Sequence, residues 1–250
     1  MGKIETLLKQ TEDNTGIYFS EFKDVELSKI LDSSGNPEQK FLSVFKSTFW
    51  IIGLTSVILG LPTALFFDVR SESIFLTVIS ILHILLILVI SFMRALWKVL
   101  IEFVNFSDEL FNFFVNHKDN IVKDYKEKSI EGILYRDVVN GILLGVVLPF
   151  VSDKIYQNLF LIGSLLKRLI RFLFYQFVVF INYQNLFNET IIVKEDSVIF
   201  KNFSEDQKQQ IKEVLHISKL ITLLAQLAFY ISIVIYALFN LLLYIFLLSI

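Results

Sequence analysis

The chain has 250 residues, of which 54% are hydrophobic and 26 are phenylalanines, and its formal net charge is −2. A mean hydropathy of +0.62 is high for a soluble protein of this length, so composition predicts an integral membrane protein. The nearly balanced charge argues against a nucleic-acid-binding surface. The lack of cysteine excludes disulfides, thiolate metal sites and cysteine nucleophiles.

Residues 1–40 are predicted to form a cytosolic amphipathic region. Ser20 is placed to cap a helix from Glu21 to about Leu31. The turn-forming residues 33–35 are predicted to end this helix. A second helix is predicted to begin at Asn36–Gln39. Asparagine is a cap residue, proline is favoured at the first helical position, and glutamine three residues after the cap completes a capping box.

Residues 41–104 are predicted to form a transmembrane hairpin of two antiparallel helices joined by the short connection Asp68–Ser73. The first span is expected to end near the residues 60–62. The second begins with Ile74–Met93, about 20 residues without a charge, which match a hydrocarbon core of about 30 Å. Small residues near one face of the first span predict close packing of a neighbouring helix; they are Gly53, Ser56 and Gly60.

A polar stripe follows one face of the second span, because its members are three or four residues apart. They are Ser73, Thr77, Ser80, Ile84, Ile87, Ser91, Arg94, Lys98, Glu102 and Asn105. One interpretation is a pore wall in a homo-oligomer, with Ile84 and Ile87 as a dewetting constriction. The other is a packing seam, in which hydroxyls bond a neighbouring helix or their own backbone and the cations reach the interface.

His83 lies about 60° from this stripe at about 100° per residue. A histidine within a membrane is a candidate functional residue. The alternative is a structural hydrogen bond to a nearby hydroxyl.

The distribution of lysine and arginine predicts that the N-terminus and residues 105–137 are cytosolic, with Trp50 and Trp97 at the same inner interface. The helix of the second span either continues past Val104 or restarts at Ser107. Residues 105–137 are predicted to be a helical segment. Its phenylalanines need cover from the N-terminal helices or from a partner; they are Phe111, Phe113 and Phe114.

Residues 138–183 are predicted to form a central membrane hairpin, either re-entrant or made of two further spans. Val138–Val151 is short for an unaided crossing, and it contains Pro149 and two glycines suited to helix packing, Gly141 and Gly145. A basic cluster interrupts the second leg. It is a candidate site for anionic lipid or another anion, or an ordinary positive flank; its members are Lys167, Arg168 and Arg171.

Residues 184–216 are predicted to be a cytosolic insert with a small β-hairpin, formed by Thr190–Val193 and Val198–Phe200, and a helix start at Ser204. Residues 217–250 are predicted to be a C-terminal transmembrane helix that ends outside the cell. A second polar seam, broken near Ile233, follows it; its members are Thr222, Gln226, Tyr230, Asn240 and Tyr244.

The predicted fold is therefore an all-α multi-pass bundle with three spans and a central hairpin, in an inner membrane of bacterial type. No catalytic motif is present, so the chain is not expected to be an enzyme, and neither cofactor nor metal is expected. The expected partners are the bilayer, further copies of the chain and a cytosolic protein, without nucleic acid. Two functions compete: an ion-conducting or membrane-permeabilising pore, and a non-conducting anchor or sensor that recruits a cytosolic effector, for example in a defence or toxin-immunity system.

Overall fold

A computed structural model of the chain describes residues 3–66, 73–124, 132–155, 160–194, 197–201 and 206–249. Within those ranges the side chains are not described at 21, 59–66, 73–77, 124, 160–162, 193–194, 197–201, 206–218, 221 and 246–249. Helices make up 87% of the structure, which confirms the helical class. The chain forms two compact units: unit 1 is Met1–Glu38 with Phe103–Ser218, and unit 2 is Gln39–Glu102 with Lys219–Ile250.

Four stretches of the described chain are long and apolar enough to cross a membrane. They differ in burial, since 72% of the most apolar window of Tyr135–Asp153 is buried within the protein, against 22% or less in the other three. These three are Val25–Ile58, Val78–Asn116 and Thr222–Ile245. The length and composition of the four fit the predicted multi-pass membrane protein, and the fourth stretch is the first leg of the predicted central hairpin.

Unit 2 contains most of α3 (Pro37–Phe66), the first part of α4 (Ser73–Asn116) and most of α9 (Asp206–Ser249). The predicted start of α3 is confirmed, because the Asn36 side chain accepts a hydrogen bond from the backbone N–H of Glu38 at 2.9 Å. The predicted end near residues 60–62 is wrong, because α3 continues to Phe66. Proline is tolerated within membrane helices, where neighbouring groups satisfy the freed carbonyl. The predicted connection Asp68–Ser73 lies largely outside the described residues.

The helix α4 does not restart at Ser107. It is continuous to Asn116, and the Ser107 hydroxyl donates to the Phe103 carbonyl at 2.7 Å within the same helix. That bond occupies the side chain as a serine inside a helix, so no cap is formed. The residues of α4 after Glu102 belong to unit 1.

The N-terminal part of unit 1 contains α1 (Lys3–Thr15), a 3₁₀ turn at Phe19–Glu21 and α2 (Val25–Ser33). The predicted helix from Glu21 with Ser20 as its cap is wrong. The cap of α2 is Asp24, whose carboxylate accepts from the backbone N–H of Leu27 at 2.8 Å. The separate turn leaves the Phe19 side chain fully buried.

The centre of unit 1 is one helical rod made of α6 (Tyr135–Ile142), a π-helical segment (Leu143–Val147) and α7 (Leu148–Asp153). Pro149 has no N–H to donate to the preceding turn, and the wider π turn accommodates it without breaking the rod. α8 (Phe160–Tyr183) packs against this rod. Asn140 donates to the Asn182 side chain at 3.0 Å, so the rod and α8 pack as two antiparallel helices.

The remaining elements of unit 1 are α5 (Lys118–Asp124) and two antiparallel strands, β1 (Thr190–Lys194) and β2 (Ser197–Lys201), with Ile192 opposite Ile199. The loop before β1 takes the place of a side-chain cap for α6. Its Glu189 and Phe187 carbonyls accept from the backbone N–H groups of Tyr135 and Arg136 at 2.8 and 2.7 Å.

Aromatic rings close the core of unit 1. Phe187 adopts a left-handed conformation with φ of 57° and is 2% exposed. Its ring stacks on Phe111 and meets the edges of Phe114 and Tyr135, while the Tyr135 hydroxyl donates to the Phe114 carbonyl at 2.7 Å. Unit 1 therefore supplies from its own chain much of the cover that the phenylalanines of α4 require.

Candidate functional site

Three helices of unit 2 contribute one side chain each to a hydrogen-bonded chain. The Tyr236 hydroxyl of α9 contacts the Ser56 hydroxyl of α3 in a short hydrogen bond and lies 2.9 Å from Nε2 of His83 on α4. One turn further along α9, Asn240 donates to the Tyr236 carbonyl at 2.7 Å. His83 is thus bonded to a hydroxyl, as the structural alternative predicts, and the polar chain links α3, α4 and α9.

A cavity of about 850 Å³ lies beside this chain of hydrogen bonds, within unit 2. All three helices line it, and isoleucine is the commonest residue of its wall, including Ile52, Ile87 and Ile233. Such a volume is within the range of small-molecule sites, which combine apolar walls with a few polar groups. The polar members of this wall are Thr55, Ser56, Ser80, His83, Tyr236, Asn240 and Tyr244.

The polar stripe of α4 divides into two halves with different surroundings. In the N-terminal half of the stripe, here named the outer half after the predicted topology, Ser80 and Ile84 line the cavity and remain exposed, Ile84 to 51%. The side chain of Thr77 lies outside the described residues. This half therefore presents open surface on α4.

The inner half of the stripe is packed within unit 2. Ile87 is 4% exposed and Ser91 is fully buried, with its hydroxyl bonded to the Ile87 carbonyl at 2.7 Å. Arg94 reaches Thr48 on α3 at 3.4 Å, and the Lys98 ammonium lies over the Trp97 ring at 5.2 Å. These contacts are those expected of a packing seam.

The glycines singled out in the sequence have different surroundings. A Cβ on Gly141 would lie 2.2 Å from the Phe19 ring, and one on Gly145 would lie 2.9 Å from Cβ of Phe19. These two glycines thus admit the buried ring of the 3₁₀ turn, not a neighbouring membrane helix. A Cβ on Gly53 would meet no atom of the described chain within 4 Å, and the surroundings of Gly60 are not described.

The basic cluster of α8 lies at the border between a buried and an exposed face. The inner face includes Leu166, Ile170, Phe174, Val178 and Ile181, each no more than 2% exposed. Arg171 forms an ion pair with Glu5 of α1, Lys167 is half-buried, and Arg168 is exposed. The opposite side, here named the α8 outer face, consists of Leu165, Arg168, Phe172, Val179 and Tyr183.

Glu189 is a buried acid that the sequence analysis did not single out. The residue is 2% exposed, and its Oε2 atom has no hydrogen-bond partner among the described residues. Burial raises the pKa of this carboxyl, while the charge of Lys118 acts in the opposite direction. Its backbone carbonyl supports the start of α6, so Glu189 is held in place by the fold.

Tyr236 is the member of the site that the sequence analysis missed. A usable signal was present, because Tyr236, Asn240 and Tyr244 are four residues apart and share one face of α9. The second polar seam therefore extends to Tyr236 on the far side of Ile233. Phe19 and Asp24 gave weaker signals, because their roles depend on the separate turn between α1 and α2.

Within the described part of the chain, no group of three histidines or acids is placed to hold a metal ion. Comparison with family models, with curated proteins and with solved structures finds no match for this chain.

Proposed function

We propose that this protein is a membrane-anchored sensor that presents unit 1 in the cytosol, at the inner membrane of a bacterial-type cell, and recruits a soluble effector there. The observation that carries this proposal is the contrast in burial between the units. Apolar residues of unit 2 face outward, as lipid-exposed helices require, whereas the apolar rod 135–153 is 72% buried in its most apolar window.

The cytosolic placement of unit 1 is supported by its polar content as well. The helical rod 135–153 is long enough to span a membrane, but it carries Arg136, Asp137 and Asn140. Other parts of unit 1 cover it. Its apolar run Val138–Val151 is about 14 residues long, a length more typical of a buried core helix than of a membrane span. On this proposal, residues 138–183 do not enter the bilayer, and α8 is the last helix of that core.

The α8 outer face is the recruiting surface in this proposal. Phe172 is 56% exposed and Tyr183 is 80% exposed, and they lie on one helical face with Leu165 and Val179. Arg168 lies within this apolar stripe. An apolar stripe with a cation fits the groove of a soluble protein whose rim is acidic, by the complementarity typical of helix-in-groove recognition.

Topology is the first test. The chain has no natural cysteine, so single cysteines report position without background. A cysteine at Asn120 is expected to react with a membrane-impermeant maleimide only after permeabilisation, while a cysteine at Arg70 reacts in intact cells. Reaction at Asn120 in intact cells overturns the cytosolic placement of unit 1.

Recruitment is tested by a photoreactive amino acid at Phe172, with Val25 as the matched position, because Val25 is also an exposed apolar residue of unit 1. A discrete protein adduct is expected at Phe172 in native cells, absent at Val25 and lost with Arg168→Glu while the protein remains folded. Adducts with lipid alone, or a protein adduct insensitive to Arg168→Glu, contradict recruitment through this face. The lipid adduct would instead support the anionic-lipid role of the basic cluster.

A homo-oligomeric pore is the second candidate, and the outer half of the α4 stripe favours it. Ser80 and Ile84 are open to an apolar cavity, and exposed apolar faces of α4 and α9 are available to a second copy. In a pore of this kind Ile84 belongs to the constriction, and the packed Ile87 has to turn outward on assembly.

Liposome flux separates the two candidates. If Ile84 holds a hydrophobic gate, Ile84→Ser is expected to raise ion leak at least severalfold, because a hydroxyl hydrates the constriction. Ile81→Ser is the matched control, since Ile81 is 53% exposed on the same helix and does not line the cavity. Flux at background level in the wild type and both variants supports the anchor, and leak through Ile84→Ser alone supports the pore.

A further inference from the structure

With α3 and α4 as membrane spans, the cavity of unit 2 falls at the bilayer centre. Ser56 and His83 are each within one residue of the middle of their charge-free runs, 47–67 and 73–93. Tyr236 bonds to both and therefore lies at the same depth. Hydrogen-bonding groups at this depth are costly unless they are paired, so their number and direction constrain what the cavity accepts.

The protons of the polar chain can be assigned from the hydrogen bonds. The Ser56 hydroxyl lies 2.7 Å from the Ile52 carbonyl, which can accept its single proton. In this arrangement the Ser56 oxygen accepts from Tyr236, and the Tyr236 oxygen accepts from His83. The neutral imidazole is therefore protonated on Nε2, the tautomer assigned by the network.

This assignment leaves Nδ1 of His83 as a lone-pair acceptor. Within the described part of the chain, Nδ1 has no hydrogen-bond partner, and His83 lines the cavity. The described lining residues include no lysine, arginine, aspartate or glutamate. An ion would thus meet no opposite charge at the bilayer centre, where an unpaired charge is expensive.

We infer that this cavity is a binding site for a neutral lipophilic ligand that carries a hydroxyl group, of the lipid-alcohol or quinol class, whose O–H donates to Nδ1 of His83. The isoleucine wall receives the hydrocarbon body of the ligand. Tyr236 and Ser56 are positioning residues, because they hold the tautomer and orientation of the imidazole. This site is independent of the recruitment proposed for unit 1.

The test uses the full chain in phosphatidylcholine liposomes and two photoreactive probes. One is a long-chain alcohol with a diazirine in its tail, and the other is the methyl ether of the same alcohol, which has no O–H donor. The alcohol is expected to label the lining segments of α3, α4 and α9 saturably, with an affinity about five- to tenfold above that of the ether, since one hydrogen bond distinguishes them. Equal labelling by the two probes overturns the hydroxyl site and shows a groove filled by lipid chains in general.

Variants separate the site from a general structural role. His83→Phe is expected to lower alcohol labelling to the level of the ether while leaving ether labelling unchanged. The unchanged ether signal shows that the cavity has kept its form. If alcohol labelling stays unchanged in a folded His83→Phe protein, His83 is not the acceptor and the inference fails.

Tyr236→Phe is expected to lower alcohol labelling by less than His83→Phe, because it releases the imidazole from one tautomer without removing its nitrogen. Tyr230→Phe is the matched control, as Tyr230 is an exposed tyrosine of the same helix outside the cavity. Equal losses in these two tyrosine variants contradict the positioning role. Addition of a quinol as competitor, with its methylated form as control, then distinguishes a quinol from a lipid alcohol as the preferred ligand.

Discussion

Two stretches of this chain are both long and apolar enough to cross a membrane, and they differ in surroundings. In unit 1, the side chains of Val138, Val139 and Ile142 are fully buried. In unit 2, Ile81 and Leu85 on α4 are 53% and 51% exposed. The comparison shows that an apolar helix becomes a core element where its own chain covers it and keeps an exposed apolar face where it does not.

The cover of the unit 1 rod comes from parts of the chain that are distant in sequence. Phe19, from the N-terminal part of the chain, packs on Gly141 and Gly145. The loop at Phe187–Glu189, from the other end of unit 1, accepts hydrogen bonds from the backbone N–H groups at the start of α6. Substitutions matched across the two units therefore test the difference directly.

The largest effect is expected from truncating the same residue type in each stretch. Ile142→Ala in the buried rod should lower the free energy of unfolding by about 2–5 kcal/mol, because it leaves a cavity. Ile81→Ala should cost less than about 1 kcal/mol, since lipid tails are as apolar as the lost side chain. Thermal unfolding of both variants in the same detergent measures the difference. Equal losses would show that α4 is packed at Ile81 as tightly as the rod is at Ile142.

A smaller effect, about 1–3 kcal/mol, is expected from adding a methyl group at Gly141. The added Cβ would overlap the fully buried Phe19 ring, which has little room to move. Gly53→Ala is the matched control, where the Cβ meets open space and the helix gains from the better helix former. The double variant Gly141→Ala with Phe19→Leu should destabilise by less than the sum of the two single variants. Strict additivity, measured by the same unfolding assay, would rule out the overlap.

The smallest effect is expected at Glu189, where the prediction concerns pH. Because burial raises the pKa of the folded state, the folded protein keeps this proton at pH values where the unfolded chain, with a pKa of about 4.3, has released it. Stability then falls as pH rises from about 4.3 through the folded pKa. Glu189→Gln should remove this fall and raise the unfolding midpoint at neutral pH by a few degrees at most.

Glu109→Gln, at an exposed position of α4, controls for the loss of one negative charge. Unfolding midpoints of wild type and Glu189→Gln should be measured between pH 4 and pH 8. The two midpoints should agree near pH 4 and move apart as the pH rises. A constant difference across all pH values would mean that Glu189 acts through packing and not through its proton.

The sequence by itself determined the helical class, the presence of long apolar helices and the start of α3 at Asn36. These features depend on local signals: the length of a charge-free run and a cap residue followed by proline. The face of α4 was also readable, because period alone groups Ser80, Ile84 and Ser91.

The tertiary structure alone decided which neighbours those faces meet. Ser91 bonds its own backbone while Ser80 faces a cavity, although both lie on one stripe. Tyr236 bonds to Ser56, 180 positions earlier in the sequence, and to His83, 153 positions earlier. Phe19 occupies the space left by Gly141. Local periodicity predicts which face of a helix a side chain lies on, but its contact partner depends on segments that are distant in sequence. Such segments cover the rod of unit 1 and leave the helices of unit 2 exposed.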